Sequence, residues 1–406
     1  MSANVKTGVW ITSQLYEKIN AGFLTYSADD TPPPEPGTAG PLFFAGLSQY
    51  GTSGLNGTHN EQNSSAVQLP GTNWTGIDVR THGLIALKCD STLWSWGYNG
   101  CGQVGDNTTI GRSSPVQVPG TSWTCVASAD YRSLALKSDC TLWSWGWAGA
   151  VNNFQFEGNK IGDNTYNIPR SSPTQIPGTA WCFIAANPKA SYAIKTDGTL
   201  WGWGDGASAE ALLSPNCQPS CVARFSSPVQ LSGSNWVEVS PTAVSVTGRK
   251  TDGTIHTFGG TSFGEYGNGT RSNYSNQVQN QVPGTSWVQV GGGYAPIARK
   301  SDNTLWTWGQ NYGGMLGTSE PQTSHKSSPV QVPGTAWCCI HNTRANGRRA
   351  RVAKKTDGTS WGWSCNYRGS LQMCGDGVNS NFSSPVQIPG TIYCIGNGQY
   401  WSFQRR

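Results

Sequence analysis

Short stretches in which hydrophobic and polar residues alternate recur along the chain and predict β-strands. The stretch KSDCTLWSWG at 137–146 joins a tight turn to such a strand. Its two tryptophans are two positions apart, so they lie on one face of the strand. Turn residues such as Asp-Gly between alternating hydrophobic residues are a strong hairpin signal. Near copies of the stretch begin at Lys88, Lys195, Lys250, Lys300 and Lys355.

A second phrase, typified by PGTSW, also recurs and ends in an aromatic residue that we call the anchor. Successive anchors are 49 to 58 residues apart. A repeat period of about 50 residues indicates an array or a propeller. The anchors are Trp74, Trp123, Trp181, Trp236, Trp287, Trp337 and Tyr393.

Each repeat predicts four short strands: an anchor strand, a second strand, a Trp-rich third strand and a fourth strand that reads SSPVQ. The proline fits an edge strand because it cannot donate to a ladder. Four short antiparallel strands describe one propeller blade. Sixteen of the 19 tryptophans belong to anchors or third strands, and we expect them to fill the core between blades. Trp10, Trp147 and Trp401 lie outside the repeat pattern.

The two ends of the repeat region each supply half a unit. LFFAG at 42–46 fills a third-strand position, and the residues after Tyr393 supply the first two strands. Joining these halves would close the ring and remove open sheet edges. The sequence therefore predicts an all-β protein, with a seven-bladed β-propeller at 42–406. Its blades have four antiparallel strands, one blade is shared between the chain ends, and a short N-terminal arm occupies 1–41.

These motifs resemble the regulator of chromosome condensation repeat, a family of seven-bladed β-propellers. The resemblance is carried by LKSDCTLWSWG at 136–146 and GYNGCGQVGDNTTIGRSSPVQV at 97–118, and it covers roughly residues 42–406. It implies the fold, whereas the same fold hosts many unrelated tasks. The namesake of the family is an exchange factor for a small nuclear GTPase that also docks on chromatin. None of its exchange residues transfers position by position.

Composition restricts the partner classes. Charged residues make up 12% of the chain and the net charge is +5, which is too mild to indicate a nucleic-acid partner. No apolar run approaches the roughly 18 residues of a membrane helix, so we expect no membrane insertion. The first residues lack the apolar core of a secretory signal peptide.

Nothing in the sequence indicates catalysis, a metal or another cofactor. Of the twelve cysteines, Cys217 and Cys221 form a close pair, but no nearby histidine completes a zinc set. We expect buried free thiols, with one or two loop disulfides as the alternative. The five histidines fall at unrelated repeat positions, and the recurrent aspartates lie in turns, where Asp caps its own backbone.

Strand order divides the loops between two ends of the propeller. The uniform face carries the Asp-Gly and Pro-Gly-Thr turns, and the variable face carries the other two connections of each blade. Because scaffolds carry function on variable loops, we expect partners on the variable face, although long loops can also be tolerated insertions. The candidate binding residues are Tyr131, Arg132, Trp147, Phe154, Phe156, Arg348, Arg349 and Trp401.

The arm at 1–41 is expected to leave from the uniform face. Leu15 and Ile19 are four residues apart, which suits one or two helical turns, and a Pro-rich stretch forms a stiff spacer. The arm is too small to hold a core of its own. The candidate anchoring residues are Trp10, Leu15, Tyr16 and Ile19.

Low charge, abundant small polar residues and a short arm also resemble bacteriophage virion proteins that carry this repeat. The resulting hypothesis is a non-enzymatic virion surface protein, either a capsid decoration or a tail appendage. The arm and the uniform face would contact other virion proteins, and the variable face would bind host surface carbohydrate or a neighbouring subunit. The alternative is a guanine nucleotide exchange factor or a cytoplasmic interaction scaffold.

Overall fold

The computed structural model describes most of the repeat region. Residues 1–38 of the predicted arm, with Trp10, Leu15, Tyr16 and Ile19, lie outside the described residues, as do Phe154, Phe156, Arg348 and Arg349. The described residues are 39–57, 61–80, 82–129, 131–148, 161–165, 168–205, 224–242, 245–260, 262–271, 276–292, 295–341, 351–366, 380–388, 394–397 and 401–405.

These residues form 28 β-strands and a short 3₁₀ helix at Tyr312–Gly314. The anchor strands are β3 (Trp74–Arg80), β7 (Trp123–Ala129), β11 (Trp181–Ala186), β15 (Trp236–Pro241), β19 (Trp287–Gly291), β23 (Trp337–His341) and β27 (Cys394–Asn397). The second strands are β4 (Gly83–Lys88), β8 (Arg132–Lys137), β12 (Ala190–Lys195), β16 (Ser245–Lys250), β20 (Ile297–Lys300), β24 (Arg351–Lys355) and β28 (Trp401–Arg405).

The third strands carry the Trp-x-Trp pairs in most repeats. They are β1 (Leu42–Ser48), β5 (Leu93–Gly97), β9 (Leu142–Gly146), β13 (Leu200–Asp205), β17 (Ile255–Gly259), β21 (Leu305–Gly309) and β25 (Ser360–Asn366). The fourth strands are β2 (Glu61–Gln68), β6 (Arg112–Gln117), β10 (Arg170–Gln175), β14 (Arg224–Gln230), β18 (Asn276–Gln281), β22 (Lys326–Gln331) and β26 (Ser380–Ile388).

Consecutive strands from β3 to β26 form six four-stranded antiparallel sheets, blades 1 to 6 in chain order. The chain ends form a further four-stranded sheet, the shared blade, in the order β2-β1-β28-β27. Within it, Phe43 of β1 pairs with Gln404 of β28. The predicted propeller of four-stranded antiparallel blades is confirmed, and so is the assembly of one blade from both ends.

The anchor strands are the innermost strands and contact one another in a circle. Each of β3, β7, β11, β15 and β19 contacts the next anchor strand along the chain, β23 contacts β27, and β27 contacts β3. The fourth strands lie at the outer edge, where β6 and β22 are half-buried or exposed along their length. Their proline therefore occupies the edge position that its missing N–H allows.

Tryptophan fills the space between blades, as predicted. Trp74 of β3 lies 6.3 Å from Trp94 and 6.0 Å from Trp96, measured between ring centroids. Both indoles of the pair therefore pack on one anchor, and each such side chain buries about 150–250 Å². The six Trp anchors and the second Trp of each described pair are fully buried, whereas the first Trp of each pair is half-buried at the edge of the core.

Each anchor strand in blades 1 to 6 has a β-bulge directly after its anchor. In blade 1, Trp74 pairs with Lys88 but Gly76 pairs with Leu87, so two residues oppose one step of the partner strand. The same register shift follows the other five Trp anchors. Because the bulge recurs, the second residue after each Trp anchor pairs with the residue that precedes the lysine of the second strand. In blade 1 these residues are Gly76 and Leu87.

Candidate functional site

The uniform face is built from a repeated turn that satisfies its own polar groups. In blade 1, Oδ1 of Asp90 accepts hydrogen bonds from the backbone N of Thr92 (2.9 Å) and from its hydroxyl (2.6 Å). The same hydroxyl accepts a hydrogen bond from Nε1 of Trp94 at 2.9 Å. The side-chain hydrogen bond from Thr92 is the largest cause that lowers the pKa of Asp90. These aspartates cap turns, and blades 2 to 6 repeat the Asp–Thr contacts with Asp139, Asp197, Asp252, Asp302 and Asp357.

The lysine at the start of each turn lies over the tryptophan rings. Nζ of Lys88 is 4.8 Å from the ring centroid of Trp74 and 3.9 Å from that of Trp94. Such cation–π contacts contribute about 0.5–1 kcal/mol at exposed sites. The corresponding lysines of blades 2 to 6 lie over their own anchors in the same way. The recurrent charges of the uniform face are therefore engaged within each blade.

Where the structure describes them, the connections between third and fourth strands contact the next blade. In blade 1, the carbonyl of Gln103 accepts a hydrogen bond from Nε1 of Trp145 in blade 2 at 3.1 Å. The backbone N of Asn107 donates to the carbonyl of Ser171 in the outer strand of blade 2 at 2.8 Å. We call the half of this connection that contacts the next blade the clasp. Equivalent indole bonds join Trp96 to Thr52, Trp203 to Ile161, Trp308 to Glu265 and Trp363 to Met315.

A glycine at a fixed place in each described clasp makes the close approach to the indole feasible. Gly105 has a φ of +85°, and a Cβ there would collide with Nε1 of Trp145. Gly54, Gly267 and Gly317 have positive φ and approach the Trp of the next blade in the same manner. The described part of the variable face is thus not a set of free loops, because each described clasp holds two blades together.

Arg132, predicted as a binding residue of the variable face, is instead buried between two blades. Its side chain is 2% exposed. Nη2 of Arg132 donates to the backbone oxygens of Asn187 at 3.1 Å and Ala190 at 3.0 Å, both in blade 3. A buried guanidinium needs such partners, and these bonds join blade 2 to blade 3.

Tyr131 and Trp147, two other predicted binding residues, do come together on the variable face. Their ring centroids are 5.8 Å apart in an edge-to-face arrangement. Tyr131 also lies 6.1 Å from Tyr98 and stacks on His82 at 6.4 Å. Tyr50, from the shared blade, completes the group at 5.1 Å from His82 and 5.2 Å from Tyr98. We call these rings, from three neighbouring blades, the aromatic sector.

The aromatic sector is uncharged and partly open to solvent. Tyr50 is 47% exposed, and the other four rings are half-buried. Burial lowers the pKa of His82, so its imidazole is neutral at pH 7. Tyrosine, tryptophan and neutral histidine give a surface that combines apolar area with hydrogen-bonding edges. Such surfaces are enriched at the centres of protein interfaces.

The sequence contained a signal for His82 and Tyr98, two of the three rings that the prediction missed. Tyr98 follows Trp-Gly at the end of β5 as Trp147 follows Trp-Gly at the end of β9. His82 directly precedes β4 as Tyr131 directly precedes β8. The backbone N of Tyr98 donates to the carbonyl of His82 at 2.7 Å, and Trp147 donates to Tyr131 at 2.8 Å. Aligning repeats at these two positions would have paired the aromatics.

Of the remaining predicted binding positions, only Trp401 lies among the described residues. The backbone of Trp401 begins β28 and pairs with Gly46, while Phe154, Phe156, Arg348 and Arg349 lie outside the described residues. Within the described ranges, no group of three or more metal-ligating side chains comes together. No helix in the same part of the chain is long and apolar enough to cross a membrane.

Comparisons with known proteins agree with this architecture. Residues 90–136 match the regulator of chromosome condensation (RCC1) repeat. The structure of Prp20p from Saccharomyces cerevisiae, described with its binding properties to Gsp1p and histones, is 16% identical with a TM-score of 0.76, covering 90% of this chain and 91% of that one. Yeast RCC1 (Prp20) bound by Kap60 is 14% identical with a TM-score of 0.77, covering 100% of this chain and 94% of that one.

A human protein gives the same result. Human WBSCR16 is 17% identical with a TM-score of 0.71, covering 90% of this chain and 98% of that one. No curated protein sequence matches the chain. At these identities the likeness establishes the fold. The chain forms an RCC1-type propeller.

Proposed function

We propose that this chain is a seven-bladed interaction propeller that binds a protein partner with the aromatic sector of its variable face. The carrying observation is the cluster of Tyr50, His82, Tyr98, Tyr131 and Trp147, in which partly exposed rings from three blades meet. The recurrent charged groups of the uniform face are used within the blades. A protein partner is therefore expected to bind the variable face and not the turns of the uniform face.

The partner class that best suits the fold is a small GTPase, with guanine nucleotide exchange as the activity. Prp20p, which shares the fold, is described with its binding to Gsp1p. An exchange factor binds its GTPase and deforms the nucleotide site of that GTPase. The propeller itself would carry out no covalent chemistry. A rigid ring with a preorganised aromatic surface suits this task, because little side-chain entropy is lost on binding.

Neither the fold nor the similar structures support the virion hypothesis. It rests on composition and on the predicted arm at 1–41, most of which is outside the described residues. Binding of virion proteins through the arm and uniform face, binding of host carbohydrate, and location in a virion or the cytoplasm remain predictions from the sequence.

The test uses purified small GTPases loaded with a fluorescent guanine nucleotide. The full chain should accelerate nucleotide release from at least one of them. The variant Tyr50→Ala/Tyr98→Ala/Trp147→Ala should weaken binding by at least 2 kcal/mol, roughly thirtyfold, because aromatic residues dominate interface energies. Ile110→Ala is the matched control, since Ile110 is 64% exposed but lies outside the sector. Unchanged binding by the triple variant would move the partner site elsewhere, and unchanged release rates would reject exchange.

A further inference from the structure

The bulge of blade 6 brings two neighbouring cysteines together. Neighbouring side chains of a regular strand point to opposite faces. The register shift between Trp337 and Cys339 removes this alternation. The Sγ atoms of Cys338 and Cys339 are 3.5 Å apart, and both residues are half-buried. This separation is close to that of reacting atoms poised for attack, about 3–3.5 Å.

The same two bulge positions hold other residues in blades 1 to 5. They are Thr75–Gly76, Thr124–Cys125, Cys182–Phe183, Val237–Glu238 and Val288–Gln289. The pair in blade 6 is therefore not required by the bulge. Blade 3 supplies an internal reference, because Cys182 occupies the first position without a second thiol beside it.

The residue opposite the second bulge position also favours an anion in blade 6. Cys339 pairs with Lys354, as Glu238 pairs with Arg249 in blade 4. In blade 4 a carboxylate and a guanidinium meet there at 3.5 Å. In blade 3 the opposite residue is Ile194, which offers no charge. Blade 6 thus has the thiol of Cys339 where blade 4 holds a carboxylate, and Lys354 supplies a positive charge that also acts on the neighbouring Cys338.

Electrostatics separates the two thiols. The hydrogen bond with Cys339 is the largest cause that lowers the pKa of Cys338 to about 7, assisted by the charges of Lys354 and Arg299 against the opposing effect of burial. The pKa of Cys339 is raised by the same hydrogen bond and by burial. By contrast, burial raises the pKa of Cys182 to about 12. Cys338 is the more nucleophilic thiol at neutral pH, and Cys339 keeps its proton.

We propose that Cys338 and Cys339 form a peroxide-reactive dithiol, in which Cys338 is the attacking thiol and Cys339 resolves the product. The Cys338 thiolate attacks one oxygen of a hydroperoxide, the O–O bond breaks, and the other oxygen leaves as water or an alcohol after taking up a proton. Cys338 becomes a sulfenic acid. The sulfur of Cys339 then displaces its hydroxyl, which leaves as water with the Cys339 proton. Two electrons pass from the thiols to the peroxide.

The resulting disulfide would be readily reversible. Consecutive Cα atoms are about 3.8 Å apart, below the usual range of about 4.4–6.8 Å for disulfide-linked residues. Strained disulfides are the more easily reduced ones. Closing the bond would also change the bulge that pairs β23 with β24, next to the contact between β23 and β27. The dithiol therefore couples oxidation to the junction between blade 6 and the shared blade.

The test measures each cysteine separately in the full chain, by alkylation followed by mass spectrometry across a pH series. The rate for Cys338 should reach half its plateau near pH 7. At pH 7 it should react about threefold faster than an ordinary exposed thiol, since more thiolate outweighs lower nucleophilicity. Exposed Cys89 is the reference, and Cys182 should react at least tenfold more slowly than Cys338. A Cys338 slower than Cys89 at pH 7 would overturn the proposal.

Peroxide treatment tests the second step. The peptide with Cys338 and Cys339 should lose two hydrogens, and dithiothreitol should restore them. Cys339→Ser should stop at a sulfenic acid on Cys338 that dimedone traps, whereas Cys338→Ser should form neither product. A disulfide to any other cysteine, or equal sulfenic acid at Cys89, would show that the pair has no special reactivity. The native chain gives the first readout even if a variant fails to fold.

Discussion

Blades 1 and 2 hold their ion pairs in the clasps, whereas blade 4 holds one in its inner bulge. In the clasp of blade 1, Asp106 meets Arg112 at 2.5 Å, and in blade 2 Asp163 meets Arg170 at 2.6 Å. The corresponding clasp positions in blades 4 and 5 are Asn268 and Thr318, which carry no charge. The same backbone frame therefore accepts a carboxylate, an amide or a hydroxyl at this position.

The inner bulge also differs between these blades, although the clasp of blade 5 holds an ion pair of its own, between Glu320 and Lys326 at 2.7 Å. Leu87 and Leu136 face the bulge in blades 1 and 2, whereas Arg249 and Arg299 face it in blades 4 and 5. The change also alters how blades are joined. Oε2 of Glu238 accepts a hydrogen bond from the backbone N of Val290 in blade 5 at 3.0 Å, while blade 2 packs apolar groups at this level.

The comparison shows which parts of the repeat set the structure. The Trp anchors, the clasp glycines and the capped turns recur where the backbone demands them. The polar groups between blades are free to change as long as each has a local partner, because repeat units interact with their neighbours alone. Four sets of variants test this conclusion.

The largest effect is expected when the arginine that faces the bulge in blade 5, Arg299, is copied into blade 2 without an acidic partner. Leu136→Arg should destabilise the chain by at least about 4 kcal/mol, because an unpaired guanidinium enters an apolar cluster. Leu136 is 1% exposed and packs with Cys125 and Trp181. Denaturant unfolding measures the change. Leu136→Met, which keeps the volume and adds no charge, is the control and should cost less than about 1.5 kcal/mol.

Adding the acid of blade 4 should rescue part of this loss. Cys125→Glu places a carboxylate at the position that pairs with residue 136. The double variant should recover about 1–3 kcal/mol relative to additive single changes. Additive losses would mean that the bulge of blade 2 cannot hold an ion pair, and the regions would then differ in backbone as well as in side chains.

The second effect removes the acid from blade 4. Glu238→Leu should cost about 3 kcal/mol, because the half-buried Arg249 loses its carboxylate partner and the N–H of Val290 loses its acceptor. Glu238→Cys/Arg249→Leu, which copies blade 2, should cost less than the single change. Thermal and denaturant unfolding give both values. A double variant less stable than the single one would contradict the interpretation that the unpaired charge causes the loss.

The sequence was sufficient to predict the blades but not the contacts between them. The Trp-x-Trp pairs and Pro-Gly-Thr turns are local signals, and they gave the strands, their order and the Trp core. The clasp brings Gly105 of blade 1 against Trp145 of blade 2. The local sequence around either residue does not indicate this contact. The burial of Arg132 was missed because its neighbours in blade 3 lie more than fifty positions away, as the bond to Asn187 shows.

The candidate site was predicted in part for a related reason. Trp147 stands outside the repeat pattern, so it was noticed, and Tyr131 was noticed with it. Tyr50, His82 and Tyr98 join them because the ring brings the shared blade next to blades 1 and 2. That adjacency follows from closure of the propeller. Prediction of the strands alone does not give the distances between the aromatic side chains.

The third effect tests the clasp glycine against a glycine without a close neighbour. Gly105→Ala and Gly358→Ala both place alanine at a positive φ, +85° and +86°, which costs about 1–2 kcal/mol. A Cβ at 105 also collides with Trp145, whereas nothing lies within 4 Å of a Cβ at 358. Gly105→Ala should therefore lose about 2 kcal/mol more than Gly358→Ala. Equal losses of unfolding free energy would show that the clasp accommodates a Cβ at position 105 without destabilising the fold.

The smallest effect is a difference in acid sensitivity between the clasps of blades 1 and 2 and that of blade 4. Burial opposes ionisation of Asp106, but hydrogen bonds from Thr108 and Arg112 outweigh it, so its pKa is lowered. The pKa of Asp163 is lowered in the same way. A carboxyl whose folded-state pKa lies below its unfolded value stabilises the fold above the unfolded value. That stability is lost as the pH falls through the folded pKa.

Asp106→Asn/Asp163→Asn copies the amide of Asn268 into both clasps. At pH 7 the variant should be less stable than the native chain by about 1 kcal/mol per clasp, since each arginine partner is partly exposed and screened by solvent. The gap should shrink as the pH falls below about 4, the ordinary aspartate value, because the carboxyls of the unfolded chain then take up protons. It should close once the pH is below the lowered pKa values of the folded state, where the native carboxyls are neutral as well. Unfolding free energies across this range measure it. A gap of the same size in acid would assign the loss to hydrogen-bond geometry, and blades 1 and 2 would then gain nothing from charge in their clasps.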